Sequence, residues 1–141
     1  MVVIIILTAL ISAQLTFHLH AVKKLNVVLA SALPSLVFAL AYVVLSRFIS
    51  LEEFAGLPAV FFGASFVGMS SNARIRSSLS LSLAAIVFAV VYLSLSLSFK
   101  GYGGGLGTSA AVAVLISISF ESIIFAGINY LQRKNASKVS K

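Results

Sequence analysis

Residues 79 to 99 read LSLSLAAIVFAVVYLSLSLSF, a run without a single charge. The Leu-Ser alternation at its two ends, Ser78 to Ser82 and Ser94 to Ser98, has the period of two that marks a half-buried strand in a soluble protein. Length overrules that period. An apolar run of about 20 residues matches a hydrocarbon core of about 30 Å when it is helical. Within such a core every backbone N–H and C=O must be satisfied by the segment itself or by protein neighbours, which a lone strand cannot do. The run is therefore read as a transmembrane helix.

Four more apolar runs flank it: Val2 to Phe17, Asn26 to Phe48, Phe54 to Ser70 and Ala110 to Leu131, each set off by charge, glycine or both. Sixty per cent of the 141 residues are hydrophobic and 9% are charged, whereas a soluble domain is about one quarter charged. The expected fold is an all-α integral membrane protein, a five-helix transmembrane bundle forming a single membrane domain over residues 1–141. Met1 to Phe17 has no basic leading segment, and no small-residue cleavage site follows it, so it is read as a retained first helix rather than a cleaved signal.

Basic residues orient the bundle. With the N-terminus outside, Lys23, Lys24, Arg74, Arg76, Arg133, Lys134, Lys138 and Lys141 lie inside, and Arg47 and Lys100 lie outside beside Glu52 and Glu53. Five crossings in the opposite sense reverse this bias, so N-out and C-in is the expected topology, in a plasma (inner) membrane. One alternative stays open. If the glycine-bearing third run (Gly56, Pro58, Gly63, Gly68) dips in and returns to the same side, an N-inside arrangement also places most basic residues inside. Lys and Arg at the ends of apolar runs explain the net charge of +7, and no nucleic-acid partner is expected. The absence of cysteine excludes disulfides, thiolate metal sites and cysteine nucleophiles.

The chain also matches itself at an offset of fifty. Val37-Phe-Ala-x-x-Tyr42-x-x-Leu45-Ser46 parallels Val87-Phe-Ala-x-x-Tyr92-x-x-Leu95-Ser96, each copy preceded by a basic pair and followed by a glycine turn. This suggests parallel two-helix repeats over 26–75 and 76–132, although similar apolar helices also match by chance.

Glu121 is the leading candidate for function, because it stands within the fifth run among Leu115, Ile118 and Ile124 and the small polar Ser117, Ser119 and Ser122. A charged carboxylate facing lipid at mid-membrane costs at least about 2.5 kcal/mol, so it should face protein or water. There it can exchange protons, hold a cation or simply hydrogen-bond a neighbouring helix. Ser117 lies one turn before it, and Tyr42 and Tyr92, whose hydroxyls need buried partners, are candidates to join it.

Lys100-Gly-Tyr-Gly-Gly-Gly-Leu-Gly107-Thr-Ser lacks the Gly-Lys-Ser/Thr ending of a phosphate loop. Gly103, Gly104, Gly105 and Gly107 instead suggest a non-helical turn or cavity lining, capped by Thr108 or Ser109 at the start of the fifth helix. Ala59-x-x-x-Gly63 and Ala64-x-x-x-Gly68 are small-residue pairs that let helices approach closely. His18 and His20 do not share a helix face, and no metal site or cofactor is expected. No enzyme constellation is present.

The expected function is a small membrane transporter or channel for an ion or small solute, coupled to protons or cations through Glu121 and working as a homo-oligomer in the lipid bilayer. The alternative is an accessory or scaffolding subunit of a larger membrane complex.

Overall fold

A computed structural model of the chain describes residues 1–70, 78–95 and 103–139, with their side chains except at 95, 103 and 125–139. Arg74, Arg76, Ser96, Ser98, Lys100 and Lys141 lie outside the described residues, as do the side chains of Gly103, Arg133, Lys134 and Lys138. The fold is all-helical: α1 (Val2–Ala21), α2 (Val27–Leu45), α3 (Leu57–Gly68), α4 (Ser78–Leu95) and α5 (Gly103–Val139), with a 3-10 turn at Glu52–Phe54. No strand occurs among the described residues, and the Leu-Ser stretch from Ser78 onward is the first part of α4. Helices α1, α2 and the Gly104–Ile124 part of α5 are each long and apolar enough to cross a membrane, while the apolar part of α4, Ser78–Ser94, is shorter.

Local chemistry explains several boundaries. Lys24, at a φ of 55°, turns the chain out of α1. Asn26 then caps α2 by accepting a hydrogen bond from the Val28 N–H at 3.0 Å. Pro34 sits inside α2, where it removes one ladder bond. It lies between Ser31 and Ser35, whose hydroxyls are buried and engaged, a setting in which membrane helices tolerate proline. Pro58 occupies the start of α3, where its missing N–H removes nothing from the ladder.

Packing is inverted relative to a soluble bundle. The buried residues are chiefly small: Ala9, Ala13, Ala30, Ala64, Ala84, Ala85, Ala89, Ala110 and Ala113, with Ser12, Ser31, Ser65 and Ser117. The exposed ones include Leu29, Leu33, Leu36, Val37, Leu40 and Val43 of α2 and Leu115, Ile116 and Ile123 of α5. In water that distribution would leave a very large apolar surface uncovered. In lipid it is the stable choice, because acyl chains solvate Leu as well as protein does and helices gain by close approach of small residues.

Alternate helices run in opposite directions. Along α3 and α2, Ser65 meets Ser31 and Phe61 stacks on Phe38, so the two are antiparallel. Gly56 lies beside Tyr92 and Gly63 beside Phe88, so α4 opposes α3. Leu106 packs near Gly63, and Ile118 faces the same cleft as Ser70, so α5 runs with α3. Ser12 reaches Phe61, and His20 reaches Gly68, so α1 does too. Residues 57–70 therefore run from a tyrosine end of the bundle, marked by Tyr42 and Tyr92, to a histidine end, marked by His20, without turning back. The helix pairs α2–α3 and α4–α5, the two units of the repeat suggested by the sequence, are both antiparallel hairpins of the same sense.

Helix α3 packs against all four other helices. It holds 12 residues, about 18 Å at 1.5 Å per residue, shorter than the run from Phe54 to Ser70 because the chain before it forms the 3-10 turn. Ideal methyl groups built at Gly63 and Gly68 would lie 2.6 Å from Phe88 Cζ and 2.8 Å from Thr16 Cβ respectively, so both glycines exist for contact within the protomer.

Candidate functional site

Hydroxyl groups tie α3 to two neighbours. Ser12 Oγ donates to the Phe61 carbonyl at 2.5 Å, and Ser31 and Ser65 share a hydrogen bond of 2.6 Å. Ser65 Oγ also reaches the Phe62 carbonyl at 2.6 Å, and Ser35 Oγ donates to the Ser31 carbonyl at 2.7 Å. Buried hydroxyls need such partners, since nothing in a bilayer core replaces them. The sequence reading missed this seam. Its only signal was hydroxyl residues inside apolar runs, which does not say which of them face protein.

A second polar link joins α1 to α4, where Gln14 Nε2 donates to Ser78 Oγ at 3.1 Å and to Ser82 Oγ at 3.0 Å. Ser117, the buried serine of α5, donates to the Ser80 carbonyl of α4 at 2.8 Å. Side-chain hydrogen bonds thus join α1 to α3 and α4, α2 to α3, and α4 to α5. Among the described residues, no side-chain hydrogen bond joins α3 to α5.

The α3–α5 seam opens into a cleft of about 610 Å³, lined by Phe66, Met69 and Ser70 from the end of α3 and by Gly107, Ala110, Ala111, Val114, Leu115 and Ile118 from α5. Among the described residues, Ser70 is its one polar lining residue. This volume falls in the range of about 300–1,000 Å³ typical of small-molecule sites, which are also mostly apolar.

Glu121 lies just past the histidine end of this cleft. It follows Ile118 by three residues and Val114 by seven, so it shares a helix face with both. It is half-buried, and among the described residues it has no hydrogen-bond or ion-pair partner. Ser117 is level with Ser80, the third residue of α4, and Glu121 lies one turn, about 6 Å, further on. It therefore sits about 3 Å beyond the level of Ser78, the first residue of α4. Hydropathy alone placed it near mid-run. The difference arises because the apolar sequence of α5 continues past the point where its antiparallel partner begins.

Tyr42 and Tyr92 lie at the other end. Tyr42 donates to the Leu51 carbonyl at 2.8 Å, and an ideal methyl at Gly56 would stand 3.2 Å from the Tyr92 hydroxyl. Neither joins Glu121. Both suit a membrane–water interface, where an amphipathic ring has one apolar and one wet side.

The glycine-rich segment is helical from Gly103, and Thr108 and Ser109 do not cap it. Thr108 Oγ1 reaches the Gly104 carbonyl at 3.2 Å and the Gly105 carbonyl at 3.0 Å, and Ser109 Oγ donates to the Gly105 carbonyl at 2.7 Å. Both hydroxyls bond back to carbonyls of the preceding turn, so the stretch read as a turn is helix and neither residue is its cap. Methyl groups at Gly104 and Gly107 would meet nothing within 4 Å, in contrast to Gly63 and Gly68.

His20 Nε2 lies 3.0 Å from the Gly68 carbonyl, and its ring packs edge-on to Phe17. Among the described residues, no three metal-ligating side chains come together. Comparison with protein-family models, with curated proteins and with solved structures finds no match to this chain.

Proposed function

We propose that the chain is a five-crossing transport protein for an ion or small solute, N-terminus outside, in a plasma (inner) membrane, with its route along the α3–α5 cleft. The observation that carries this reading is the cleft itself, open between α3 and α5 and ending beside Glu121, a carboxylate within the apolar part of α5. A seam without side-chain hydrogen bonds is where two helices can shift against each other most readily, and transporters build their paths at such seams. Its apolar lining suits a solute with an apolar body better than a bare ion, and Glu121 at the inner mouth would hold a proton or a cationic group. Four helices around a packed α3 leave little space for a private aqueous path, so the transporting form is a homo-oligomer. No enzymatic step is assigned.

Proteoliposome flux tests it. Wild-type protein should move protons, ions or small solutes, and Glu121→Gln should remove the coupled component. Equal flux by the two proteins would overturn the role of Glu121, and no flux by wild type would overturn the reading itself.

One observation favours the accessory-subunit alternative. Gly104 and Gly107 face open space, although each glycine costs a helix about 1 kcal/mol relative to alanine. A partner helix approaching α5 closely would account for them. Co-isolation with a fixed membrane partner, with no flux alone, would select it.

A further inference from the structure

At the tyrosine end, a separate cavity of about 400 Å³ lies where α2 gives way to the 3-10 turn, and its lining includes Arg47, Phe48, Ser50 and Glu52. The loop around it is well tied. Ser46 Oγ donates to the Val43 carbonyl at 2.8 Å, Phe48 N to the Leu45 carbonyl at 3.0 Å, and Tyr42 to the Leu51 carbonyl.

Two features of its lining are unusual together. Arg47 and Glu52 face one cavity with opposite charges, yet among the described residues neither has an ion-pair partner, the other included. Beside them Phe48 is 82% exposed and Ile49 58% exposed. In a bundle with an apolar flank, exposed Phe and Ile beside a basic residue belong at the boundary between acyl chains and headgroups.

We propose that this cavity binds a zwitterion with an anionic phosphate and a primary ammonium group, the chemistry of an ethanolamine phospholipid headgroup. Arg47 takes the phosphate, because a guanidinium offers a planar donor fork matched to phosphate oxygens. Glu52 accepts N–H bonds from the ammonium, and the hydroxyls of Ser46 and Ser50 lie in the same lining. The gap that keeps Arg47 and Glu52 from pairing is the space that the ligand spans. Phosphatidylglycerol satisfies Arg47 alone and should bind less well. The site is independent of the α3–α5 cleft and of the transport reading.

The chain contains no tryptophan, so Phe48→Trp supplies a single fluorescent reporter at the edge of the cavity. Micellar protein is titrated with short-chain phosphatidylethanolamine, phosphatidylglycerol or soluble glycerophosphoethanolamine, and lipid retained by the unmodified chain is measured by native mass spectrometry. Phosphatidylethanolamine should bind saturably and in preference to phosphatidylglycerol. Glu52→Gln should weaken it about tenfold and abolish the preference, and Arg47→Gln should weaken both lipids about tenfold. Glu53→Gln, at the adjacent exposed carboxylate outside the lining, should change nothing. Binding of glycerophosphoethanolamine with the same Glu52 dependence would make the natural ligand a soluble zwitterion, and binding of the lipid alone would make it a bilayer headgroup. Equal binding of the two lipids, no binding of either ethanolamine compound, or an effect of Glu53→Gln equal to that of Glu52→Gln would overturn the proposal.

Discussion

Substituting Gly68 by alanine tests the packing of the bundle at its tightest point. The added methyl would collide with the backbone carbonyl oxygen of Ala13 and stand 2.8 Å from Thr16 Cβ. Neither obstacle yields easily: one is helix backbone, and the other is a fully buried residue. Helix α1 is moreover pinned to α3 nearby by the Ser12 bond to Phe61. Over-packing of this kind costs about 1–3 kcal/mol, and rigid obstacles place Gly68→Ala toward the upper figure. Gly107→Ala is the matched control, since its methyl meets nothing within 4 Å and alanine improves helix propensity by about 0.8–1 kcal/mol. The two variants should therefore shift in opposite directions and differ by about 4 kcal/mol. Gly63→Ala should fall between them, because its methyl meets the ends of the Phe88 and Leu106 side chains at 2.6 and 3.2 Å rather than backbone. Reversible unfolding in mixed micelles, followed by far-UV circular dichroism, gives the ordering directly. Gly68→Ala as stable as Gly107→Ala would refute the account of α3 as a close-packed central helix.

Two further outcomes follow from the same structure. Thr16 is fully buried, and its hydroxyl has no hydrogen-bond partner among the described residues; Thr16→Val should thus stabilise by about 1 kcal/mol in the same unfolding assay, whereas Ser12→Ala, which loses a made bond, should destabilise by about 0.6 kcal/mol. A loss of stability in Thr16→Val would mean that its hydroxyl is engaged. Because the chain lacks cysteine, single Ser50→Cys and Ser70→Cys variants should react with impermeant maleimide from opposite faces of a sealed vesicle; labelling from one face would instead support a third segment that returns to its starting side.

Much of this architecture was legible in linear order. Helical class followed from run length, because a bilayer core leaves backbone groups no partner outside a helix or a closed barrel. The small-residue pairs ending at Gly63 and Gly68 marked close contacts in advance, since glycine is the residue type whose only offering at a helix interface is proximity. The candidate site was less legible. Serines 12, 31, 65 and 117 form the links between helices, yet Ser94 and Ser122 bond their own helix carbonyls and face outward. Nothing in the sequence distinguishes the two groups, because a serine can satisfy itself on its own helix or across to another.

By itself, then, the sequence determined the character of the elements: apolar runs long enough for lipid, basic residues at their ends and glycine where helices touch. Tertiary structure alone decided levels and neighbours. It set Glu121 just beyond the start of α4, sent Tyr42 and Tyr92 to the opposite end, continued α5 through its glycines, and left a cleft between α3 and α5. The physical reason is that hydropathy measures transfer of a segment into lipid and is blind to register. The height of a residue in a bundle is fixed by which turn of one helix meets which turn of the next, and that depends on small side chains and hydroxyls meeting across the seam.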